Sequence, residues 1–342
     1  MINKIYIIIF LIILKFSLIE NTKANDQFNF DITEIEILEN GNLFKGKKRG
    51  TISSNTGIII DANYFEYNKS LNQLKAEGNV QVIDLKKNYK ITSDSIVYIK
   101  NQEVVMTKGN SEAVSGNVTV SGDAFEYNKT TNILKAKNKV KIFDEIENVS
   151  IFSEDITYDK NQELIFSKGE TISEVNKKYN FVSTDVLFSR NEMLLSSKNK
   201  AKVKDNKRNH YSLENFTYSI KDKKLKGENL IVTTNFGLPN SDKLFFKSGF
   251  FNLETKEFVA SDTKVLLHPD LFGNKENNPR IYGISSSSIN RVTTLKKAVF
   301  TSCKIKDEDC PPWSINAQEI KHDKNKKQLV YDNAILKVYD IP

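Results

Sequence analysis

The sequence has few of the residues that build metal and haem centres. Its 342 residues include two Cys and three His, and the histidines, His210, His268 and His322, lie far apart in the chain. These numbers leave little for a zinc or haem site. Six Pro and 14 Gly exclude a collagen-like or low-complexity chain. Neither a metal site nor a cofactor is predicted.

A strong excess of one charge is also missing. The chain has 50 Lys and Arg against 43 Asp and Glu, a net charge of +7, and Lys, Asn and Ile are common throughout. Nucleic acid is therefore not a predicted partner. Hydrophobic residues make up 39% of the chain, with 21 Phe and 13 Tyr. That is enough to build a core, and it excludes a disordered chain.

Motifs of enzymatic chemistry are absent as well. The sequence contains no G-x-S-x-G, H-E-x-x-H, C-x-x-C or glycine-rich phosphate loop, and no catalytic residue is predicted. Four aspartates recur at repeat positions, namely Asp94, Asp123, Asp155 and Asp185. A carbohydrate-active β-solenoid is an alternative that uses them as catalytic carboxylates, but their even spread favours a role in turns.

The first 24 residues have the pattern of a secretory signal. Lys4 precedes an apolar run over residues 5–14, and Thr22-Lys23-Ala24 forms a cleavage site with a small residue before the cut. An uncleaved membrane anchor is the alternative, but the run is shorter than the ~20 residues that a helical span requires. We therefore predict removal of residues 1–24 and export to a compartment where disulfides form.

Most of the remaining chain is a repeat. Residues 65–84 and 125–144 are identical at 11 of 20 positions, an offset of 60 that contains a weaker unit of about 30 residues. An aromatic residue marks each unit: Tyr67, Tyr98, Tyr127, Tyr158, Phe188 and Tyr218. Such repeats predict stacked units that share one continuous core.

Alternation with period two predicts that the units are β-strands. Leu134, Ala136, Val140 and Ile142 alternate with the lysines at 135, 137, 139 and 141, so one face of the strand is apolar and the other is solvated. We predict an all-β chain of antiparallel strands over residues 25–233, folded into a V-shaped or rolled stack that is apolar inside. Candidates for lining an apolar groove are Tyr67, Leu74, Val80, Val82, Tyr98, Tyr127, Leu134, Val140, Ile142 and Tyr158. For the aromatic residues, core stacking is the alternative.

The repeat decays over residues 234–342. Ser285 to Ser288 are predicted to form a flexible turn, because a run of four serines is typical of loops. Cys303 and Cys310 are separated by six residues, a spacing that allows a small disulfide loop in an oxidising compartment. Other oxidation partners for the two thiols are the alternative.

The C-terminal part contains five motifs: Val299-Phe300-Thr301-Ser302-Cys303, Cys310-Pro311-Pro312-Trp313-Ser314-Ile315, His322-Asp323, Tyr331-Asp332-Asn333-Ala334 and Asp340-Ile341-Pro342. Together they resemble the LptD family of lipopolysaccharide-assembly proteins, in the stretch that joins its periplasmic domain to its barrel. The repeats over 61–233 resemble the OstA-like domain that LptA, LptC and LptD share. The resemblance implies an OstA/LptA-like β-jellyroll, or β-taco, built from ~30-residue antiparallel repeats.

The same resemblance implies a function. An open groove shields the acyl chains of lipopolysaccharide, other Lpt components such as LptA pair with the strand edges, and the protein lies in the periplasm in association with the outer membrane. An LptE-like lipoprotein and a barrel are implied partners of a full-length LptD-like protein, although no barrel-like strand pattern follows in this chain. In that family, periplasmic cysteines often cross-link to barrel cysteines. A free-standing LptA-like bridge protein is the alternative function.

Overall fold

The computed structural model describes residues 28–305, 311–339 and 341–342. The strands are β1 Phe28–Asp31, β2 Ile35–Leu38, β3 Leu43–Gly46, β4 Gly50–Ser54, β5 Ile58–Ala62, β6 Tyr64–Asn68, β7 Gln73–Asp84, β8 Tyr89–Ile99, β9 Val104–Lys108, β10 Ser111–Ser115, β11 Val118–Gly122, β12 Ala124–Asn128, β13 Ile133–Asp144, β14 Val149–Asp159, β15 Leu164–Val175, β16 Tyr179–Ser189, β17 Leu194–Ser197, β18 Ala201–Asp205, β19 His210–Ser219, β20 Lys224–Thr233, β21 Lys243–Asn252, β22 Phe258–Leu266, β23 Arg280–Ile289, β24 Val292–Thr301, β25 Trp313–Asp323 and β26 Gln328–Val338. Three short 3-10 helices, Glu39–Gly41, Lys100–Gln102 and Pro269–Phe272, are the only helices in these described residues.

The strands form one antiparallel meander. Each long strand pairs with the strands before and after it, as β14 does with β13 and β15. Several short strands are the two halves of a single bent row, since β11 and β12 both pair with β13. The prediction of an all-β jellyroll is confirmed.

Many of the rows bend in the middle at positions where the backbone is left-handed. The register of β13 against β14 shifts between Lys137 and Val140, where Asn138 and Lys139 have φ of 62° and 51°. In β7, Gly78 and Asn79 occupy the matching positions with φ of 78° and 47°. Asn and Gly tolerate this region best, so many of the asparagines mark bends and turns. We call the line of bends the crease.

The crease divides the sheet into two facing walls. The first wall contains the row halves 73–77, 95–99, 133–137 and 155–159, and the second contains 80–84, 89–93, 140–144 and 149–153. The turns at the free edge of the first wall form the first rim, at 69–72, 100–103, 129–132, 160–163, 190–193, 220–223, 253–257, 290–291 and 324–327. Those of the second wall form the second rim, at 55–57, 85–88, 116–117, 145–148, 176–178, 206–209, 234–242 and 267–279.

The inner faces of the walls pack directly against each other. Ring centroids of Tyr89 in the second wall and Tyr127 in the first are 4.6 Å apart, and those of Phe181 and Phe216 are 5.7 Å apart. All ten residues predicted to line a groove are buried here, with 0–5% of their surface exposed. Up to about residue 205 the interior is therefore a closed core whose side chains meet across the crease.

The meander continues beyond residue 233, because β20 pairs with β21 along its whole length. The prediction of a flexible turn at Ser285 to Ser288 is wrong, since these serines lie in β23 and pair with both β22 and β24. A buried serine hydroxyl is tolerated when it is hydrogen-bonded. Ser286 Oγ, for example, forms a hydrogen bond of 2.6 Å with Thr263 Oγ1.

Candidate functional site

The interior opens between the walls in the C-terminal part of the chain. A cavity of about 410 Å³ lies there, within the range of ~300–1,000 Å³ typical of ligand sites. Its apolar lining comes from both walls: Val232, Leu244, Phe246, Phe251, Leu253, Phe258, Val265, Leu267, Ile281 and Leu295. An apolar chain fits such a lining better than a polar molecule does.

The second rim changes where the cavity begins. Upstream, its turns are short, as at residues 85–88 and 145–148, whereas residues 234–242 and 267–279 are long loops beside the cavity. The cavity is thus bounded by apolar strand residues below and by polar loop residues at its mouth.

Four ion pairs join the rims across this mouth and across the closed core. Each pairs a cation of the first rim with an aspartate of the second wall or its rim: Lys129 with Asp84 at 3.5 Å, Arg190 with Asp144 at 2.6 Å, Lys256 with Asp205 at 2.5 Å and Lys324 with Asp242 at 3.1 Å. We call these four pairs the clasps. They help to hold the free edges of the walls together, as do the exposed ion pair of Lys178 with Glu254 and the hydrogen bonds from Lys129 and Lys160 to carbonyl oxygens of the second rim.

Turn geometry aims three of these carboxylates at the opposite rim. Oδ1 of Asp205 accepts the backbone N–H groups of Lys207 and Asn209, as Oδ1 of Asp84 accepts those of Lys86 and Lys87. Such aspartate-led turns are a common way to close a hairpin. The second oxygen, Oδ2, is left to face the cation across the mouth.

The carboxylates of Asp205 and Asp242, beside the cavity, are held in their charged form. Burial by itself raises the pKa of Asp205, but hydrogen bonds from Lys256 and Asn209 outweigh it and the pKa falls below its ordinary value. The pKa of Asp242 is likewise lowered, because Lys324 and His268 outweigh the effect of burial. The pKa of Arg190 is raised by Asp144 despite burial.

His322 lies in the lining of the cavity and is nearly buried. Its pKa is lowered to about 4, mainly by burial and next by the positive charge of Lys324, with a smaller contribution from His268. The negative charges of Asp242 and Asp323 raise the pKa but do not outweigh these effects. The folded protein therefore holds this imidazole neutral at a pH where the unfolded chain is protonated.

We expect the free energy of unfolding to fall by about 3 kcal/mol as the pH drops from 6.5 to 4. The contribution of His322 is complete above 6.5, the ordinary pKa of histidine, and is lost on the acid side because the unfolded chain binds the proton first. Urea unfolding across this range measures the slope. His322→Leu should flatten it, whereas His210→Gln, at a half-buried site, should keep most of it. An unchanged slope in His322→Leu would contradict the assignment.

None of the ten predicted groove residues lines the cavity, and their contact with a lipid stays a prediction. The cavity residues were missed because the repeat decays in this region. The sequence nevertheless contains a period-two pattern typical of a strand in this region. Over residues 243–252, Leu244, Phe246 and Phe251 are buried and the residues next to them are more exposed. The clasps were also missed, because their members are 45 or more residues apart and belong to different turns.

The four repeat aspartates lie along the crease. Oδ1 of Asp185 accepts the N–H of Gly169 at 2.8 Å, and Oδ2 of Asp94 accepts a hydrogen bond from Asn110 at 2.8 Å. Across residues 28–305, 311–339 and 341–342, no three His, Cys, Asp or Glu side chains are grouped to hold a metal ion. The same residues contain no helix that is both long and apolar enough to span a membrane.

Two sequence predictions concern residues outside those described. The predicted signal over residues 1–24 lies wholly outside them. Cys303 is half-buried, with its Sγ 3.7 Å from the carbonyl oxygen of Trp313, but Cys310 is not described. Pairing of the two cysteines stays a prediction.

The last strand leaves both the sheet and the core open at the C-terminal end. Within the described residues β25 is the one strand that pairs with β26, and Val338 at the end of β26 also forms a bridge with Ile341. Its Leu336 pairs with Ile315, whose side chain packs against the core, and paired residues share a face of the sheet. Leu336 is nevertheless 57% exposed, and Val338 is 50% exposed. The strand edge and the apolar layer beside it are thus available to a further strand.

Comparison with protein-family models matches residues 11–145 to the family described as lipopolysaccharide-assembly, LptC-related. Among solved structures, the chain is similar to LptH of Pseudomonas aeruginosa, described as the LptA-homologous periplasmic component of the conserved lipopolysaccharide transport device. The identity is 20%, the TM-score is 0.30, and the likeness covers 32% of this chain and 81% of that chain. No curated protein sequence matches the chain. The family-model match covers less than half of the chain, and it does not single out the LptD family that the C-terminal motifs resemble.

Proposed function

We propose that the chain is a periplasmic bridge component of LptC or LptA type that binds lipopolysaccharide and shields its acyl chains between the two walls. The observation that carries this proposal is the cavity lined by apolar residues of both walls, in a chain whose N-terminal part matches the LptC-related family. The proposed role is one of binding and transfer, with no catalytic step.

The energetics favour such a shield. Each CH₂ group buried from water is worth ~0.8 kcal/mol, so an acyl chain of about a dozen carbons costs roughly 10 kcal/mol to expose. A lipid with several chains needs a continuous apolar path to cross an aqueous compartment. The stack has apolar inner faces along nearly the whole meander, and in the C-terminal part they stand apart and leave a cavity between them.

Photocrosslinking tests the proposal. A photoreactive phenylalanine analogue at Phe246, which is buried and lines the cavity, should crosslink to lipopolysaccharide added to the purified protein. The same analogue at Tyr282, on the outer face of the second wall and 39% exposed, should not. Equal crosslinking at both positions, or none at either, would refute binding between the walls.

The open edge of β26 supports the proposed partners. A partner strand that pairs with β26 would satisfy its free backbone groups and cover Leu336 and Val338. The N-terminal end of this stack has a free edge as well, since among the described residues β1 pairs with β4 alone and β2 with β3 alone, and another stack of the same kind would offer such an edge to β26. We therefore propose LptA-like bridge proteins as the partners at this end.

A periplasmic part of an LptD-like protein is the second candidate. It is favoured by the resemblance of Val299–Cys303 and Trp313–Ile315 to that family, and the structure places these residues at the end of β24 and the start of β25. Association with the outer membrane and an LptE-like partner belong to this candidate. The match to the LptC-related family favours the bridge protein.

A further inference from the structure

The clasps differ in how well they tolerate opening. In the closed part of the stack the cations of the clasps are less exposed, with 10% of the Lys129 side chain and 19% of the Arg190 side chain exposed. The side chains of the cations beside the cavity, Lys256 and Lys324, are each 36% exposed. The second pair is therefore the more accessible to solvent, and both of its lysines line the mouth of the cavity.

The aspartates beside the cavity also have hydrogen-bond donors other than the clasp lysines. Oδ2 of Asp205 accepts a hydrogen bond from the Asn209 amide at 2.8 Å in addition to the one from Lys256. If Lys256 leaves, this oxygen keeps a partner. Asp242 similarly keeps the backbone N–H of His268 at 3.1 Å on Oδ1, with the His268 ring nitrogen 2.8 Å away.

The upstream clasps have a smaller reserve. Oδ1 of Asp84 and of Asp144 accepts backbone N–H groups, but Oδ2 of Asp84 has no hydrogen-bonded partner in the described part of the chain, and Oδ2 of Asp144 accepts from Arg190. The side chains of both aspartates are 1% exposed, as is that of Asp205, so the second donor on Oδ2 is what distinguishes Asp205. Releasing Lys129 or Arg190 leaves a buried carboxylate oxygen with neither a counter-charge nor a hydrogen-bond donor, which is strongly unfavourable.

We infer that Lys256 and Lys324 bind the anionic phosphate of a lipid headgroup, which takes the place of Asp205 or Asp242 as their partner while the acyl part occupies the cavity below. This inference rests on the proposed function and adds a headgroup site to it. The two lysines lie at the mouth of a cavity whose inner part is lined by apolar residues. An amphiphile with an anionic head group therefore fits this site, with its head group beside the lysines and its apolar part in the cavity. A phosphate oxygen is also a strong acceptor for an ammonium group.

The test compares lipid A that carries both phosphates with the same lipid after dephosphorylation, in one nonionic detergent. The double variant Lys256→Gln/Lys324→Gln should weaken binding of the phosphorylated lipid about tenfold or more, since each lysine loses a charge-assisted hydrogen bond, and leave the dephosphorylated lipid unaffected. The control Lys202→Gln/Lys204→Gln removes two exposed lysines of the second wall and should change neither affinity. Equal effects on both lipids, or no effect, would overturn the inference.

A second variant separates exchange from simple attraction. Asp205→Asn/Asp242→Asn removes the competing carboxylates and should tighten binding of the phosphorylated lipid several-fold, whereas weaker or unchanged binding in a folded protein would overturn the exchange. Inorganic phosphate should compete poorly. Competition at a similar affinity would show a free-anion site and overturn the assignment to a lipid. Wild-type protein that binds neither lipid would refute the proposed function itself, whereas binding of both lipids with no response to the variants would refute the headgroup site alone.

Discussion

Replacing Arg190 with alanine should lower the free energy of unfolding by about 3–5 kcal/mol, the usual cost of removing one partner of a buried ion pair. The Asp144 side chain is 1% exposed and only 2.6 Å from Arg190, and no other group donates to its Oδ2 among the described residues. The same guanidinium also bonds Glu163 and the hydroxyl of Tyr158. Chemical denaturation followed by circular dichroism measures the loss.

The control is removal of both partners. Arg190→Met/Asp144→Leu leaves no buried charge at this position and should recover most of the stability, because well-packed apolar residues often replace a buried pair without loss. Arg291→Ala, at an exposed rim position, should cost about 0.5 kcal/mol or less. A loss below about 1 kcal/mol in Arg190→Ala would show that this clasp does not hold the rims together.

Phe181→Ala should cost a further large amount, about 3–5 kcal/mol, as is usual when a buried phenylalanine is truncated. Phe181 is 1% exposed, and its ring centroid lies 5.7 Å from that of Phe216 and 5.0 Å from that of Tyr218, both in the opposite wall. Truncation removes contacts of both walls at once. Thermal and urea unfolding of the lipid-free protein measure the effect.

The outward-facing Phe166 provides the matched control. It is 42% exposed on β15, and Phe166→Ala should change the stability by about 0.5 kcal/mol or less. If the walls stood apart in the lipid-free protein, the two variants would behave alike. A difference of several kcal/mol would instead confirm that the N-terminal part of the interior is closed.

The sequence predicted the strands well because their signal is local. In β7, Leu74, Ala76, Val80 and Val82 fall on the buried face, as the alternation indicates. The bends were not predicted, since Gly78-Asn79 and Asn138-Lys139 look like polar strand positions until their left-handed backbone is seen. The two walls and the crease follow from those bends rather than from hydrophobic periodicity.

The candidate site was less accessible to sequence reasoning. The conspicuous aromatic ladder of Tyr67, Tyr98, Tyr127 and Tyr158 lies in a closed core, whereas the cavity lies where the repeat is weakest. Lys256 and Asp205 are 51 residues apart and meet only because the walls fold together at the crease. The spacing of these residues along the chain does not predict their contact, so the clasps could be identified only from the three-dimensional structure.

The meander has a consequence for how the protein folds. Since each strand bonds to the strands next to it in the chain, a newly arrived segment can add to the sheet as soon as it emerges, and the walls can form progressively from the N-terminal end. The clasps span 45 to 82 residues and close only after both walls exist. Folding should therefore proceed by sequential addition of strands, followed by formation of the clasps, an order that suits the export proposed for the chain.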